Sequence, residues 1–486
     1  MSTGKVVIPH SRVMLLRLIT AATAVADGYD LGVVNGVSMI LSNTYETKTI
    51  SFFVSIMPAF VGLGALVGAY AADMFGRKPV LMISYVLLVI GAALMGIPST
   101  FALLMTGRAI VGFGIGVGGV VGTVYMAEIS PTKSRGSFVA QESLFLSIGL
   151  LLGYLSNYAL MSYDHNYNLM LGLGAVLPAC CLIALLTVGR DLPESPHWER
   201  MKRRQAAGTA SDQEAASLTP TDDLSSDHLV NTPLMPIREV IREFFASPGA
   251  FSALMIGVLQ PLCGIGPILY FSDMTFSAVE TAGKSDGAIV DPAPVIAMSS
   301  IYIGLTKVAV LSVSAVILMD IVGRRTLLLM SGILITGSMI FISSVLTWKG
   351  DNSVLLLAGF CCAVGSYALG WNCVPSVYPA EVLPTKIRTF GLSFVTVVGR
   401  IISVTNAFIY PLVGLENPGI WFFVYSGFNV VSLVLVYMFV KETLNKPLLS
   451  GDSSANRKNG VFGGHESERE EIIDHVSDDH DNKKVE

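Results

Sequence analysis

The sequence predicts an all-α polytopic membrane protein, with twelve transmembrane helices arranged as two pseudo-symmetric six-helix halves. Three observations carry that prediction. Of 486 residues, 52% are hydrophobic and only 14% are charged, a balance far from that of soluble domains. Apolar windows of about 20 residues recur along the chain, each long enough to cross a hydrocarbon core. Three short polar motifs are also written twice, at nearly constant offset.

The windows lie at 13–41, 50–72, 79–97, 101–127, 137–160, 168–189, 249–272, 295–319, 325–348, 353–378, 390–414 and 419–440. Segments such as VLMISYVLLVIGAALMGI (80–97) are apolar all round. That excludes a large soluble α protein, whose surface helices keep a polar face. The first window is too long for a cleavable signal and leads directly into the body, so no signal peptide is predicted.

Basic residues orient the spans. Loops 2–3, 4–5, 8–9 and 10–11 carry Arg77, Lys78, Lys133, Arg135, Arg324, Arg325, Lys386 and Arg388, whereas the opposite loops offer Lys48, Lys284 and Lys349. Both termini are therefore expected in the cytosol. The expected organisation is a cytosolic N-terminus (1–12), an N-terminal half (13–190), a cytosolic linker (191–248), a C-terminal half (249–440) and an acidic tail (441–486). The linker opens with the basic LPESPHWERMKRR, which suits a short interfacial helix. It continues as AAGTASDQEAASLTPTDDLSSD, too polar and small to order itself, and the tail has the same character.

Composition also narrows the chemistry. The formal charge is −5, with acids gathered in the linker and tail, so there is no basic face for nucleic acid. Cys180, Cys181, Cys263, Cys361, Cys362 and Cys373 all fall inside predicted spans without metal-ligand spacing or a disulfide framework. No nucleophile triad, metal cluster or cofactor loop is present, so neither an enzyme nor a cofactor is expected. The run GFGIGVGGVVG in span four follows no strand and is no nucleotide loop. Its Gly114, Gly118 and Gly122 form a small-residue stripe that predicts close helix contact.

The repeats define the halves. Asp73-Met-Phe-Gly-Arg-Lys is answered by Asp320-Ile-Val-Gly-Arg-Arg. Glu128 to Arg135 is answered by Glu381 to Arg388, and Glu194-Ser by Glu442-Thr. The offsets are 247, 253 and 248 residues, consistent with one six-helix unit used twice.

Taken with Gly107-Arg108 at the start of span four and Pro-Glu-Ser-Pro at 193–196, these motifs resemble the sugar porters of the major facilitator superfamily. The resemblance covers about 13–442. In the N-terminal half, GYDLGVVNG (28–36), LLGYLSNYAL (151–160) and LMLGLGAV (169–176) are most similar to plant-type polyol and monosaccharide proton symporters. It implies the major facilitator fold, no enzymatic activity, and a monomer whose partners are a small solute, protons and the lipid bilayer. The plasma membrane is favoured over an organelle membrane.

Asp30 lies mid-span, where an ionised carboxylate costs at least ~2.5–3.5 kcal/mol on insertion scales and needs a partner, a cavity or a proton. Arg108 is its candidate partner. The resemblance implies that the aspartate titrates and the arginine modulates it, as against a static ion pair. Asp27, three residues earlier on the same face, departs from the family pattern. It is open to being a second titrating group, a hydroxyl acceptor or a water-lining residue.

The expected solute site is likewise a departure. Gln260 matches the first glutamine of the family's Q-Q-x-x-G-I-N stretch, but Pro261 and Gly266 replace the second glutamine and the asparagine. In the Asn372-to-Ser376 stretch, Ser376 replaces the family's pocket tryptophan, and Trp371 is too far along the chain to stand in. Ser143 aligns with an expected glutamine, beside Gln141 and Glu142. Arg400 and Lys307, cations at lipid depth, have counterparts in the polyol branch. The favoured reading pairs them with Glu142 or Asp27 across the halves; the other gives them to an anionic substrate.

The functional expectation is proton-coupled symport of a monosaccharide or polyol by alternating access. Its alternatives are transport of an organic anion or other metabolite, and a non-transporting sugar sensor. A gate is expected on the cytosolic side, with ion pairs among Asp73, Arg77, Glu128 and Arg135 in one half and Asp320, Arg324, Glu381 and Arg388 in the other.

Overall fold

In the computed structural model the described residues are 10–97, 100–129, 135–161, 163, 166–187, 194–195, 198, 202, 237–283, 293–348, 352–384 and 387–443. The polar linker insert and the acidic tail beyond residue 443 lie outside them. The described residues are overwhelmingly helical, and eleven helices are long and apolar enough to span a bilayer. A twelfth, α1 (His10–Ser42), has the length and carries both Asp27 and Asp30. The N-terminal half continues with α2 (Thr47–Phe75), α3 (Arg77–Gly96), α4 (Phe101–Ile129), α5 (Arg135–Leu160) and α6 (Asn166–Thr187). The C-terminal half holds α7 (Ala250–Val279), α8 (Ala293–Val313), α9 (Arg324–Thr347), α10 (Ser353–Val382), α11 (Arg388–Ile409) and α12 (Pro418–Phe439).

Polarity is inverted relative to a soluble protein. Leu66, Ile83, Ile333, Val434 and Tyr437 are exposed, while Asp27, Asp30, Asn35, Arg108 and Lys307 are buried. Lipid solvates the former, and the latter need partners inside the bundle.

The two halves repeat their packing. α1 lies on α5 as α7 lies on α11; α4 covers α2 and α3 as α10 covers α8 and α9; α3 meets α6 as α9 meets α12. Between halves, α2 packs on α11 and α5 on α8. These two contacts exchange under the same pseudo-twofold, as a duplicated six-helix unit requires.

Glycine sets the closest approaches. A methyl on Gly28 would stand 1.8 Å from the Leu146 carbonyl oxygen, and one on Gly149 would stand 2.1 Å from that of Val25. Backbones of α1 and α5 therefore touch, which fixes the rotation of α1 and the direction in which Asp27 and Asp30 point. In α4 two glycine faces pack closely. A methyl on Gly112 or Gly116 would meet the Met57 and Val61 carbonyls of α2 at 2.5 and 2.2 Å; on the predicted stripe, one on Gly118 would meet the Ser84 hydroxyl of α3 at 2.3 Å, and those on Gly114 and Gly122 would meet side chains at 3.2 and 3.6 Å. The run contains two interleaved stripes, and α2 took the one beside Arg108.

Each half closes on itself at the end bearing its Gly-Arg turn, here called the motif end. Gly76 (φ 99°) and Gly323 (φ 85°) adopt left-handed turns that launch α3 and α9. The Glu194 carboxylate accepts from the backbone N–H of Arg77 at 2.8 Å and of Lys78 at 3.3 Å. Glu442 does the same for Arg324 at 2.8 Å and Arg325 at 3.1 Å. An acid on free helix N–H groups is favourable both by hydrogen bonding and by the helix dipole.

α7 runs past its predicted end at 272, continuing as helix to Gly283, with a break after Leu262 and a non-helical Phe271 (φ −135°, ψ 17°). α10 is similarly broken between Leu369 and Val374. Before α7, the amphipathic helix Ile237–Ala246 buries Phe244 against Phe390 and Phe394, with ring centroids at 6.3 and 5.5 Å.

Gly28→Val should lower the apparent melting temperature of the detergent-purified protein, as expected for overpacking worth about 1–3 kcal/mol. Gly119→Ala, with open space around the new methyl, should leave it within error.

Candidate functional site

The bundle interior is organised around one ion pair. Arg108, fully buried on α4, donates from Nη1 to both Asp30 oxygens at 3.0 and 3.2 Å. Its Nε donates to the Phe53 carbonyl at 2.9 Å, and the guanidinium lies 4.6 Å from the Phe53 ring centroid. Nη2 has no hydrogen-bond partner among the described residues. A small pocket beside the pair is lined by Tyr29, Asp30, Val33, Val111 and Leu171. Buried pairs are weak stabilisers, because desolvation offsets most of the Coulomb gain.

A second charge cluster sits where the halves meet. Arg400 of α11 donates to Asp27 of α1 at 3.4 Å, an ion pair that crosses between halves. Glu142 of α5 accepts from the Thr123 hydroxyl at 3.0 Å and feels the charges of both Asp27 and Arg400. Lys307 of α8 is buried and faces the charge of Asp27, but forms no ion pair among the described residues. Two acids and two cations thus balance in one place.

Further polar side chains adjoin this cluster. Gln260 donates to the Tyr367 hydroxyl and the Trp371 carbonyl, both at 3.2 Å, so its orientation is held by α10. The Cys373 thiol meets Ser143 and Asn372. Gln141, Glu142, Ser143, Gln260, Asn372 and Arg400 are half-buried, and Ser376 is exposed. Trp371 is fully buried, packed where Gly332 of α9 leaves room, and does not enter the site.

At the opposite end the halves are sealed by neutral and acidic groups. Asn35 Nδ2 donates to Ser272 at 2.9 Å and Ser300 at 3.0 Å, and its oxygen accepts the Asp273 backbone N–H at 3.2 Å. Ser300 donates to the Asp273 carboxylate, and Tyr154 donates to the Leu269 carbonyl at 3.1 Å.

The family profile for sugar (and other) transporters matches residues 16–452. The chain belongs to that family. Among members of this transporter family, it is 30% identical over 469 residues to the probable polyol transporter 4 of Arabidopsis thaliana, covering 91% of this chain and 85% of the relative. It is 25% identical over 449 residues to the glucose transporter GlcP of Staphylococcus epidermidis, covering 89% and 95%. Its fold matches the proton:xylose symporter XylE bound to 6-bromo-6-deoxy-D-glucose, with a TM-score of 0.70 and 20% identity over 90% of this chain and 98% of the other. It also matches an inward-open XylE from E. coli, with a TM-score of 0.70 and 18% identity over 90% and 98%.

Within this sugar transporter family member, the predicted motif-end residues are partly visible. Arg77 pairs with Asp73 at 3.2 Å, and Arg324 with Glu381 at 3.0 Å, each inside its own half. Arg77 and Arg324 also donate to the carbonyls five residues back, Ala72 and Met319. The side chains of Glu128, Arg135, Asp320 and Arg388 lie outside the described residues. Sequence reasoning missed Asn35, Ser272, Asp273 and Ser300. Asp273 offered a signal, a carboxylate inside the apolar run ILYFSDMTF, but the predicted span stopped one residue short of it.

Because Asp27 and Arg400 meet at lipid depth, removing either strands the other. A double-mutant cycle on Asp27→Ala and Arg400→Ala, read by thermal unfolding in detergent, should give a coupling energy of about 0.5–3 kcal/mol. Additive losses would show that the pair is incidental.

Proposed function

We propose that this transporter carries a small neutral polyol or monosaccharide together with a proton, by alternating access between its two halves. The carrying observation is the Asp30–Arg108 pair, a carboxylate sealed in the interior of the N-terminal half with a single cation opposite it. A pair of that kind contributes little to stability, which favours a working role. With the arginine close, the carboxylate stays ionised; separation or dehydration favours the proton. The polyol and glucose relatives and the proton:xylose symporter fold support the same reading.

The cluster of Asp27, Glu142, Arg400 and Lys307 sets the solute class. Arg400 is occupied by Asp27, so the site offers balanced charge and several hydroxyl partners, which suits a neutral polyhydroxylated solute. Gln141, Ser143, Gln260, Asn372 and Ser376 supply the remaining polar contacts. The organic-anion reading rests on Lys307, a cation without an ion-paired carboxylate among the described residues.

In this mechanism the motif end faces the cytosol, following the Lys and Arg bias, and the protein resides in the plasma membrane. The Asn35 cluster then closes the outer side. The Arg77–Asp73 and Arg324–Glu381 pairs brace the turns that must move when the inner side closes. One pH unit contributes about 1.4 kcal/mol per proton, and 100 mV roughly 2.3 kcal/mol. Together they sustain a gradient of roughly several-hundred-fold for a neutral solute.

The deciding test is uptake into proteoliposomes of labelled polyols, hexoses and carboxylates, with and without a pH gradient. Polyols or hexoses should accumulate only with the gradient, and Asp30→Asn should equilibrate them without concentrating them. Uptake confined to carboxylates would transfer the assignment to the anion reading. Glu381→Ala should slow turnover several-fold while leaving solute affinity unchanged; an unchanged rate would remove the brace from the mechanism.

A further inference from the structure

The transport scheme above gives the Asp273 carboxylate no proton, yet among the described residues it is the most deeply enclosed acid at the contact between halves. It is 1% exposed, and around it Asn35 and Ser272 are 0% and Ser300 1% exposed. Those neighbours come from α1, α7 and α8, so the group is walled in only while the halves are together at this end. Among the described residues it forms no ion pair.

The surroundings offer no charge to balance it. From α1 it meets Asn35, whose nearest titratable neighbours on that helix, Asp30, Tyr29 and Asp27, lie five, six and eight residues toward the motif end. From α8 it meets Ser300, with Lys307 seven residues farther along. From α5 the nearest titratable group is the Tyr154 phenol, which senses the Asp273 charge and donates to Leu269. On α7 itself Tyr270 precedes it, and Thr275 on the following turn meets the Tyr410 hydroxyl at 3.4 Å. A carboxylate at lipid depth that finds only amides and hydroxyls is expensive as an anion and cheap as an acid.

The backbone places a hinge beside it. Phe271 is the non-helical residue of α7 (φ −135°, ψ 17°), so the segment carrying Ser272 and Asp273 is already offset from the helix below. If that segment swings away from α1 and α8, Asn35 and Ser300 separate from it and water reaches the carboxylate.

We propose that Asp273 is a second proton-binding site, separate from Asp30, and that its proton holds the far-end seal shut. In the open seal the hydrated carboxylate ionises. On closure it takes one proton from the water on that side, and the neutral acid is buried among Asn35, Ser272 and Ser300. By linkage, a proton bound more tightly by the closed form shifts the equilibrium toward closure as that side is acidified. An equilibrium tied to one proton changes by up to about tenfold per pH unit.

The test removes Asp30 from the pH response. In a full-length Asp30→Asn background with the native cysteines replaced, spin labels at Lys48→Cys and Glu416→Cys, both exposed at the far end of opposite halves, report seal opening by their distance distribution. Raising the pH from mildly acidic to mildly alkaline should populate the longer distance. Asp273→Asn should abolish that response and hold the short distance, and Asp273→Glu should restore a response. Should Asp273→Asn fail to fold, Ser300→Ala, which deletes the hydroxyl donating to the carboxylate, should move the midpoint of the pH response. The inference is overturned by an unchanged response in Asp273→Asn, by no response in the background, by an unmoved midpoint in Ser300→Ala, or by distances that follow sodium at constant pH. Concentrative uptake by Asp30→Asn would remove the Asp30 assignment and leave this result standing.

Discussion

A charge at lipid depth must be answered by another charge, a proton or water, and this requirement organises the molecule more than any apolar contact. Asp30 is answered by Arg108, and Arg108 is in turn held by the Phe53 carbonyl and ring. The pair can exist only because α1 and α4 present these residues to one another. α1 holds its rotation through backbone contact with α5, where glycine leaves no side chain between them. α4 is held similarly against α2. The glycines, chemically silent, therefore fix the chemistry of the acids.

The two ends of the bundle answer the same requirement differently. At the motif end, arginines pair with acids and with carbonyls of their own half. At the far end, the halves meet through an amide, two serines and an aspartate. Between them, Asp27 and Arg400 link the halves directly at a site otherwise lined by half-buried polar groups. Hydrogen bonds between neutral groups separate without stranding charge, whereas an ion pair in the interior separates only if water, a solute or a proton replaces a partner.

Much of this was legible in the sequence, for identifiable reasons. Asp30 and Arg108 stood out because ionisable residues in apolar spans are few; counting charges across the halves offered Asp27 or Glu142 to Arg400 without choosing between them. The duplicated Glu194 and Glu442 positions announced a shared role, although only coordinates show them capping α3 and α9. Other features had no linear signature. The run of span four holds two glycine stripes, and periodicity alone did not say which faced α2. Gln260 carried a family expectation of solute binding, but its bonds to Tyr367 and Trp371 depend on the break in α10. Asp273 was lost to a boundary: hydropathy falls at Ser272, while the helix, still enclosed by α1 and α8, continues.

The two glutamate caps have a mechanical side. Each comes from the strand of chain leaving the sixth helix of its half and fastens to the first turn of that half's third helix. The chain is consequently fastened at Glu194 to the N-terminus of α3. A pull on the chain at Glu194 would fall on the α2–α3 corner beside Asp73 and Arg77. In each half a single carboxylate thus staples the exit of the last helix to the corner between the second and third, so those two places move as one piece.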